Sequence, residues 1–226
     1  MRLALFDRIV SGWRFRGLPT SMAALRYMQA SYSQFGEDSV LHGLMRNHPG
    51  TGFYIDVGCF HPVLFSNTYR FYLRQWQGIC VDPNPDPKLA RAWKRHRPRD
   101  LFLNLAVSEQ VGTVLYAANN DRPQENRIIN SVETCPGPVL KVAATRLENI
   151  LDEYLPSAVE IDILSVDCEG HDLAVLRSND FARFRPRCLV VEDYHNRASD
   201  SVSSFVDELG YRLVGLCGYS RIYLSK

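Results

Sequence analysis

Acidic and amide side chains recur at the ends of short apolar runs in this chain. Asp56 follows Phe53-Tyr54-Ile55, Asp82 follows Gly78-Ile79-Cys80-Val81, and Asn104 interrupts Leu101-Phe102-Leu103. Asp167 closes Ile163-Leu164-Ser165-Val166, and Glu192 with Asp193 follows Cys188-Leu189-Val190-Val191. One such acid ordinarily caps the next helix or meets solvent; a series at successive strand ends is harder to explain that way. Gathered carboxylates repel one another and hold protons unless a cation or hydroxyl donors share the site. A ligand with a ribose diol, a positive sulfonium and an amino-acid tail satisfies that demand. So does a divalent metal.

Glycine usage narrows the choice. A dinucleotide site needs G-x-G-x-x-G so that the backbone can approach a pyrophosphate. Asp56-Val57-Gly58 is followed by Cys59-Phe60-His61-Pro62, which supplies Gly58 alone. One glycine of close approach beside an acid suits S-adenosylmethionine, which carries no phosphate. Asp82, about one helix and one strand later, is placed to chelate ribose hydroxyls.

These residues need a sheet to hold them. The chain has 226 residues, 46% of them apolar, which is room for one large domain with a substantial core. Lys and Arg number 26 against 25 Asp and Glu, so charge gives no general attraction to nucleic acid or anionic membrane. Apolar runs are strand-sized and none can span a bilayer. Asp7 and Arg8 interrupt what would be a signal core, and the six cysteines show no metal-site spacing. Both features point to reduced thiols and a cytoplasmic setting. Residues 1–30 read as a partly helical extension and 31–226 as one domain. Buried strands centred on Ile55, Ile79 and Leu103 alternate with helices, and strands at 161–167 and 188–192 continue the rhythm. The run Leu101 to Val107 reads as one strand, Thr113 to Tyr116 as another, and 119–137 as a polar loop. Tyr211-Arg212-Leu213-Val214-Gly215-Leu216 and Arg221-Ile222-Tyr223-Leu224 are too close in sequence for a parallel crossover and must pair antiparallel. A parallel α/β sheet ending in such a hairpin points to the class I methyltransferases rather than to dehydrogenases.

The ordered motifs Ser33-Gln34-Phe35-Gly36-Glu37-Asp38, Phe53-Tyr54-Ile55-Asp56-Val57-Gly58, Ser66-Asn67-Thr68-Tyr69, Gly78-Ile79-Cys80-Val81-Asp82-Pro83, Asn104-Leu105-Ala106-Val107-Ser108 and Ser165-Val166-Asp167-Cys168-Glu169-Gly170-His171-Asp172 together resemble FkbM-type methyltransferases. The resemblance implies a Rossmann-like, seven-stranded, mostly parallel sheet with helices on both faces. It also implies S-adenosylmethionine as donor and a hydroxyl as acceptor. By that likeness Asp56 and Gly58 contact the methionine end of the donor, Asp82 the ribose, and Asn104 and Ala106 lie near the adenine, with Pro83 and Asp167 also in the donor-binding set. Gln34 and Glu37 either fold over the donor or cap a helix, and Ser66 and Asn67 either line the methionine side or cap the helix they precede.

Transfer to a hydroxyl needs an aligned acceptor and a base. His171, just past a glycine turn after Asp167, is the first candidate, and His195 the second. Asp167, Glu192 and Asp193 are also similar to the metal triad of catechol-type O-methyltransferases. Hard oxygen ligands of that kind would suit Mg²⁺, with Glu169 as a substitute ligand. The basic stretch from Lys88 to Arg97 reads as a solvated outer helix rather than an RNA patch, and no nucleic-acid partner is expected. Tyr69, Phe71, Tyr72 and Trp76 read as core. A sugar, glycan or other small molecule is the expected acceptor, with Asn126, Arg127, Asn130 and Ser131 shaping its pocket. A nicotinamide oxidoreductase and a non-catalytic binding module are the competing readings.

Overall fold

Phe53, Tyr54, Ile55, Asp56 and Val57 are all buried, and this unbroken run forms an interior strand because neither face of it meets water. The computed structural model describes residues 29–119, 122–129, 137–193 and 202–226, nearly all within the compact unit Ser31–Lys226. In chain order the first elements are α1 (Glu37–Leu44), β1 (Phe53–Val57), α2 (Tyr69–Leu73), β2 (Gln77–Val81), α3 (Pro87–His96), β3 (Leu101–Leu103), β4 (Ala106–Val107) and β5 (Gly112–Ala117). Then follow β6 (Arg127–Ile129), β7 (Val139–Thr145), α4 (Leu147–Tyr154), β8 (Ile163–Val166), α5 (Asp172–Arg177), β9 (Cys188–Glu192), α6 (Val202–Glu208), β10 (Tyr211–Cys217) and β11 (Ser220–Ser225).

Seven strands form the main sheet in the order β10-β11-β9-β8-β1-β2-β3. Pairings from β9 through β3 are parallel, while β11 runs antiparallel to both β9 and β10. The expected terminal hairpin is therefore present, with its second strand inserted next to β9.

Side-chain parity divides the core. Phe53, Ile55 and Val57 pack on one face with Leu147, Ile150 and Leu151 of α4, Val175 of α5 and Val206 of α6. Tyr54, Cys80, Ile163 and Val190 pack on the other with Leu41 of α1, Phe71 and Tyr72 of α2, and Leu89 and Trp93 of α3. The aromatic group expected to be core is core: Phe71, Tyr72 and Trp76 are buried and Tyr69 packs against them.

Three expectations need correction. The run Leu101 to Val107 is two strands in different sheets, because Asn104 turns out of the ladder and donates from Nδ2 to the carbonyls of Asp82 (2.8 Å) and Asn84 (2.7 Å). Beyond that break β4 joins a second, four-stranded sheet in the order β4-β7-β5-β6, with its own small core of Ala106, Tyr116, Val142 and Ala144. Within the expected polar loop 119–137, Pro123–Glu125 forms a single 3₁₀ turn and β6 pairs antiparallel with β5. Finally, α3 begins under the Asp86 cap, whose carboxylate accepts from the Lys88 amide, and its Lys and Arg residues are exposed as expected. Arg97, one residue past its end, is instead 1% exposed. The 22–28 stretch read as helical lies outside the described residues. Among the described residues Cys59, Cys80, Cys168, Cys188 and Cys217 carry free thiols, and no helix is long and apolar enough to cross a membrane.

Candidate active site

A cavity of about 330 Å³ opens where β1, β2 and β8 end, with the second sheet forming its opposite wall. That is the position at which open α/β sheets bind ligands. The main sheet contributes Gly58, Asp82, Pro83, Asp167, Cys168 and Glu169, and Ala106 lies at the junction of the two sheets. Tyr116, Arg127 and Ile128 face them from the second sheet, and Gln124 to Asn126 from the connection between β5 and β6; Gln34, Phe60, Phe65 and Tyr219 are also in the lining. Thus Gln34, Gly58, Asp82, Pro83, Ala106 and Asp167 of the expected donor set come together at one cavity. Asn126 and Arg127 of the expected acceptor loop line it too, while Asn130 and Ser131 lie outside the described residues.

Gly58 is required by two features at once. Its φ is +76°, and a Cβ there would sit 1.7 Å from the Asp167 carbonyl oxygen. The turn after β1 therefore touches the turn after β8, which closes the cavity floor. Asp82 is equally fixed: its Oδ2 accepts from the Phe60 amide at 2.8 Å and its Oδ1 from the Asn84 amide at 2.9 Å. Burial pushes its carboxyl up to about 6, against the pull of those two amides. A carboxylate has about four acceptor positions, so capacity for a ligand diol remains. Asn104 does not line the cavity; its clamp on the Asp82 and Asn84 carbonyls holds this turn in place.

The acids at β8 and β9 form a tight group. One carboxylate oxygen from each of Asp167, Glu169 and Glu192 lies within 4.8 Å of the others. Burial raises the Asp167 carboxyl well above its ordinary range, and Glu192, which shares a hydrogen bond with it, raises it further. Glu169 stands at φ +52° in the turn, and burial followed by the Asp167 charge lifts it to about 7. Asp172 at the start of α5 accepts from the amides of Cys168 (2.8 Å) and Gly170 (3.0 Å), bracing this turn.

Asp193, expected as a metal ligand, lies outside that group. Its Oδ2 is 2.9 Å from Arg221 Nε and accepts from the Ser203 hydroxyl at 3.0 Å. The reason is register: β11 runs alongside β9 with Arg221 opposite Val191, which brings the guanidinium to the strand end. Asp167, Glu169 and Glu192 are the residues that could hold a divalent cation. Without one, shared protons relieve their repulsion.

Several expected site residues support the cavity from behind. Asp56 has the parity of Tyr54, so its carboxylate faces α2 and accepts from the Thr68 hydroxyl. Asn67 Nδ2 donates to Ser165 Oγ at 3.1 Å, and Ser66 Oγ accepts from the Tyr69 amide at 3.0 Å in the turn that leads into α2. Glu37 is 2% exposed and accepts from the Phe35 amide and from Ser220 Oγ, joining the start of α1 to the hairpin. His171 precedes α5 and its Nε2 is 3.2 Å from Ser108 Oγ; burial lowers its pKa, and it is not part of the cavity lining. His195 lies outside the described residues.

Sequence reasoning missed the aromatic lining of Phe60, Phe65, Tyr116 and Tyr219. The Tyr116 side chain had a readable signal, since Val114 and Tyr116 alternate inward along β5. Phe60 (φ +44°) and Phe65 (φ +55°) occupy left-handed backbone that no propensity favours.

No curated protein matches the chain significantly. A family model, the methyltransferase FkbM domain, matches residues 56–213, from the acid near the end of β1 into β10. That span covers more than half of the sequence and includes most of the cavity wall, and the chain belongs to the FkbM methyltransferase family.

Proposed function

We propose that the protein is an S-adenosylmethionine-dependent O-methyltransferase acting on a hydroxyl of a sugar, glycan or other small molecule. The observation that carries this reading is the charge of the cavity. Asp82, Glu125, Asp167 and Glu169 line it, and Arg127 is the one basic side chain among the described lining residues. Such a wall can meet a sulfonium cation by giving up its shared protons and offers a pyrophosphate a single basic side chain, which argues against a nicotinamide coenzyme. The cavity also falls in the size range of small-molecule sites, roughly 300–1,000 Å³.

In this reading Asp82 binds the ribose diol, and the floor made by Gly58 and Asp167 receives the methionine end. Bound there, the donor supplies an electrophilic methyl group. Displacement of that methyl group from sulfur would need the acceptor hydroxyl held in line with it and a base to take the hydroxyl proton. Glu169 lines the cavity and stays deprotonated for part of the time near neutrality, so it fits this task better than His171. Arg127 and Asn126 orient the acceptor from the opposite wall. Calorimetry with S-adenosylhomocysteine and with NADH tests the reading. Micromolar binding of the first alone is expected; binding of NADH alone would overturn it. Labelled methyl donor incubated with glycan fractions, followed by mass spectrometry, then identifies the acceptor.

A further inference from the structure

Arg97 is the structure's most conspicuous departure from its local sequence. It ends a run of exposed cations, yet its side chain is wholly buried. Its Nε donates to Asp100 Oδ2 at 2.6 Å, Nη1 to Ser66 Oγ at 3.3 Å, and Nη2 to Thr68 Oγ1 at 3.0 Å. The guanidinium carbon lies 4.6 Å from the Trp93 ring centre, 5.2 Å from that of Tyr54 and 5.5 Å from that of Tyr72. Burying this charge is costly, and the ion pair with Asp100 offsets that cost only because the remaining N–H groups also find acceptors, among them the Ser66 and Thr68 hydroxyls. Ser66 and Thr68 bring a second consequence.

They terminate the loop that leaves β1 at Gly58 and carries Phe60 and Phe65 into the cavity wall. Both phenylalanines are held at positive φ, a strained conformation that persists only where surrounding bonds over-determine the backbone. At the near end the Phe60 amide is fixed by Asp82. In the middle His61 Nδ1 accepts from the amides of Val63 and Leu64, both at 3.1 Å. At the far end Arg97 grips Ser66 and, through Thr68, is linked to Asp56 at the end of β1.

We infer that Arg97 is a positioning residue for the donor pocket, holding the loop between Gly58 and Thr68 in its strained form through Ser66 and Thr68. This rests on the donor reading given above. Arg97 touches nothing in the cavity; it acts on the wall from behind.

The test uses the full chain and S-adenosylhomocysteine. Arg97→Lys keeps the charge and loses the fork that reaches both hydroxyls. Thr68→Val removes the link to Asp56 at nearly constant volume. Phe181→Leu, in the opposite core face, provides a comparably destabilised control. Arg97→Lys and Thr68→Val should each weaken binding about tenfold or more in calorimetry and accelerate hydrogen exchange of the amides between Gly58 and Ser66. Phe181→Leu should change neither, whatever its melting temperature. Should Arg97→Lys fail to fold, Thr68→Val still decides. Unchanged affinity and exchange in the folded variants would overturn the inference while leaving the donor reading intact. A wild-type chain that does not bind S-adenosylhomocysteine would overturn both.

Discussion

Replacing Gly58 with alanine adds one methyl group where β1 and β8 end against each other. The new Cβ would lie 1.7 Å from the Asp167 carbonyl oxygen and 2.7 Å from its carbon. Ordinary contact begins near 3.4 Å, so the two turns must separate by about their present gap again. Left-handed backbone at φ +76° adds about 1–2 kcal/mol for a residue with a Cβ. Displacing packed backbone adds about 1–3 kcal/mol. The variant should therefore lose about 3 kcal/mol, which in a chain of this size lowers the melting temperature by roughly 6–12 °C. Donor binding should suffer more. Asp167, Cys168 and Glu169 all move with that turn, and a misplacement of about 1 Å can cost about 100-fold. Scanning calorimetry reads the first effect and titration with S-adenosylhomocysteine the second. Gly43→Ala supplies the contrast: it sits in α1 with nothing within 4 Å of its added Cβ, and should stabilise by about 0.5–1 kcal/mol without altering affinity. Gly58→Ala binding within threefold of wild type would refute the argument that this contact builds the donor floor.

Further outcomes follow from the acids. With Glu169 as base, single-turnover methyl transfer should rise with pH through about 7, and Glu169→Gln should lose that limb and at least 100-fold in rate; a Glu169→Gln profile identical to wild type would exclude it. Because Asp193 is engaged by Arg221 and Ser203 and stands outside the Asp167–Glu169–Glu192 group, Asp193→Ala should leave the response of turnover to EDTA and Mg²⁺ as in wild type, and a response altered in that variant would contradict this. Asp82, Glu169 and Asp172 have carboxyls raised to about 6, 7 and 7 in the folded chain, against about 4 when unfolded. The folded state then binds more protons between those limits, so their stabilisation is complete below about pH 4 and is lost as pH rises through 6–7. Thermal melts should accordingly show a steeper decline across that window in wild type than in Asp172→Asn, and equal slopes would contradict it.

Much of the main sheet could be read from the chain because parallel strands buried on both faces are near-continuous apolar runs. Ile55, Ile79, Leu164 and Val190 each mark one. The antiparallel hairpin followed from a connection too short for a crossover. The second sheet was hidden because its strands are short and half-exposed, and because Asn104 splits an apolar run that looks continuous. At the site, Gly58 and Asp82 were legible as types at strand ends. Asp56 was not, since alternation along β1 sends its carboxylate to the Tyr54 side, toward Thr68 and Arg97. Long-range pairings were beyond local reading too: Arg221 reaches Asp193 and Ser108 meets His171 only after the chain has folded. Arg97 shows the same limit most sharply, because its sequence neighbours are solvated and its partners are Ser66, Thr68 and Asp100.

The central claim is that side-chain oxygens at these strand ends hold an adenosyl sulfonium. A crystal structure of the chain with S-adenosylhomocysteine tests it most directly. The ribose hydroxyls should lie on the Asp82 carboxylate, with the amino-acid tail over Gly58 and Asp167 and the second sheet covering the other side. The same molecule bound elsewhere, or a ribose turned away from Asp82, would contradict the account.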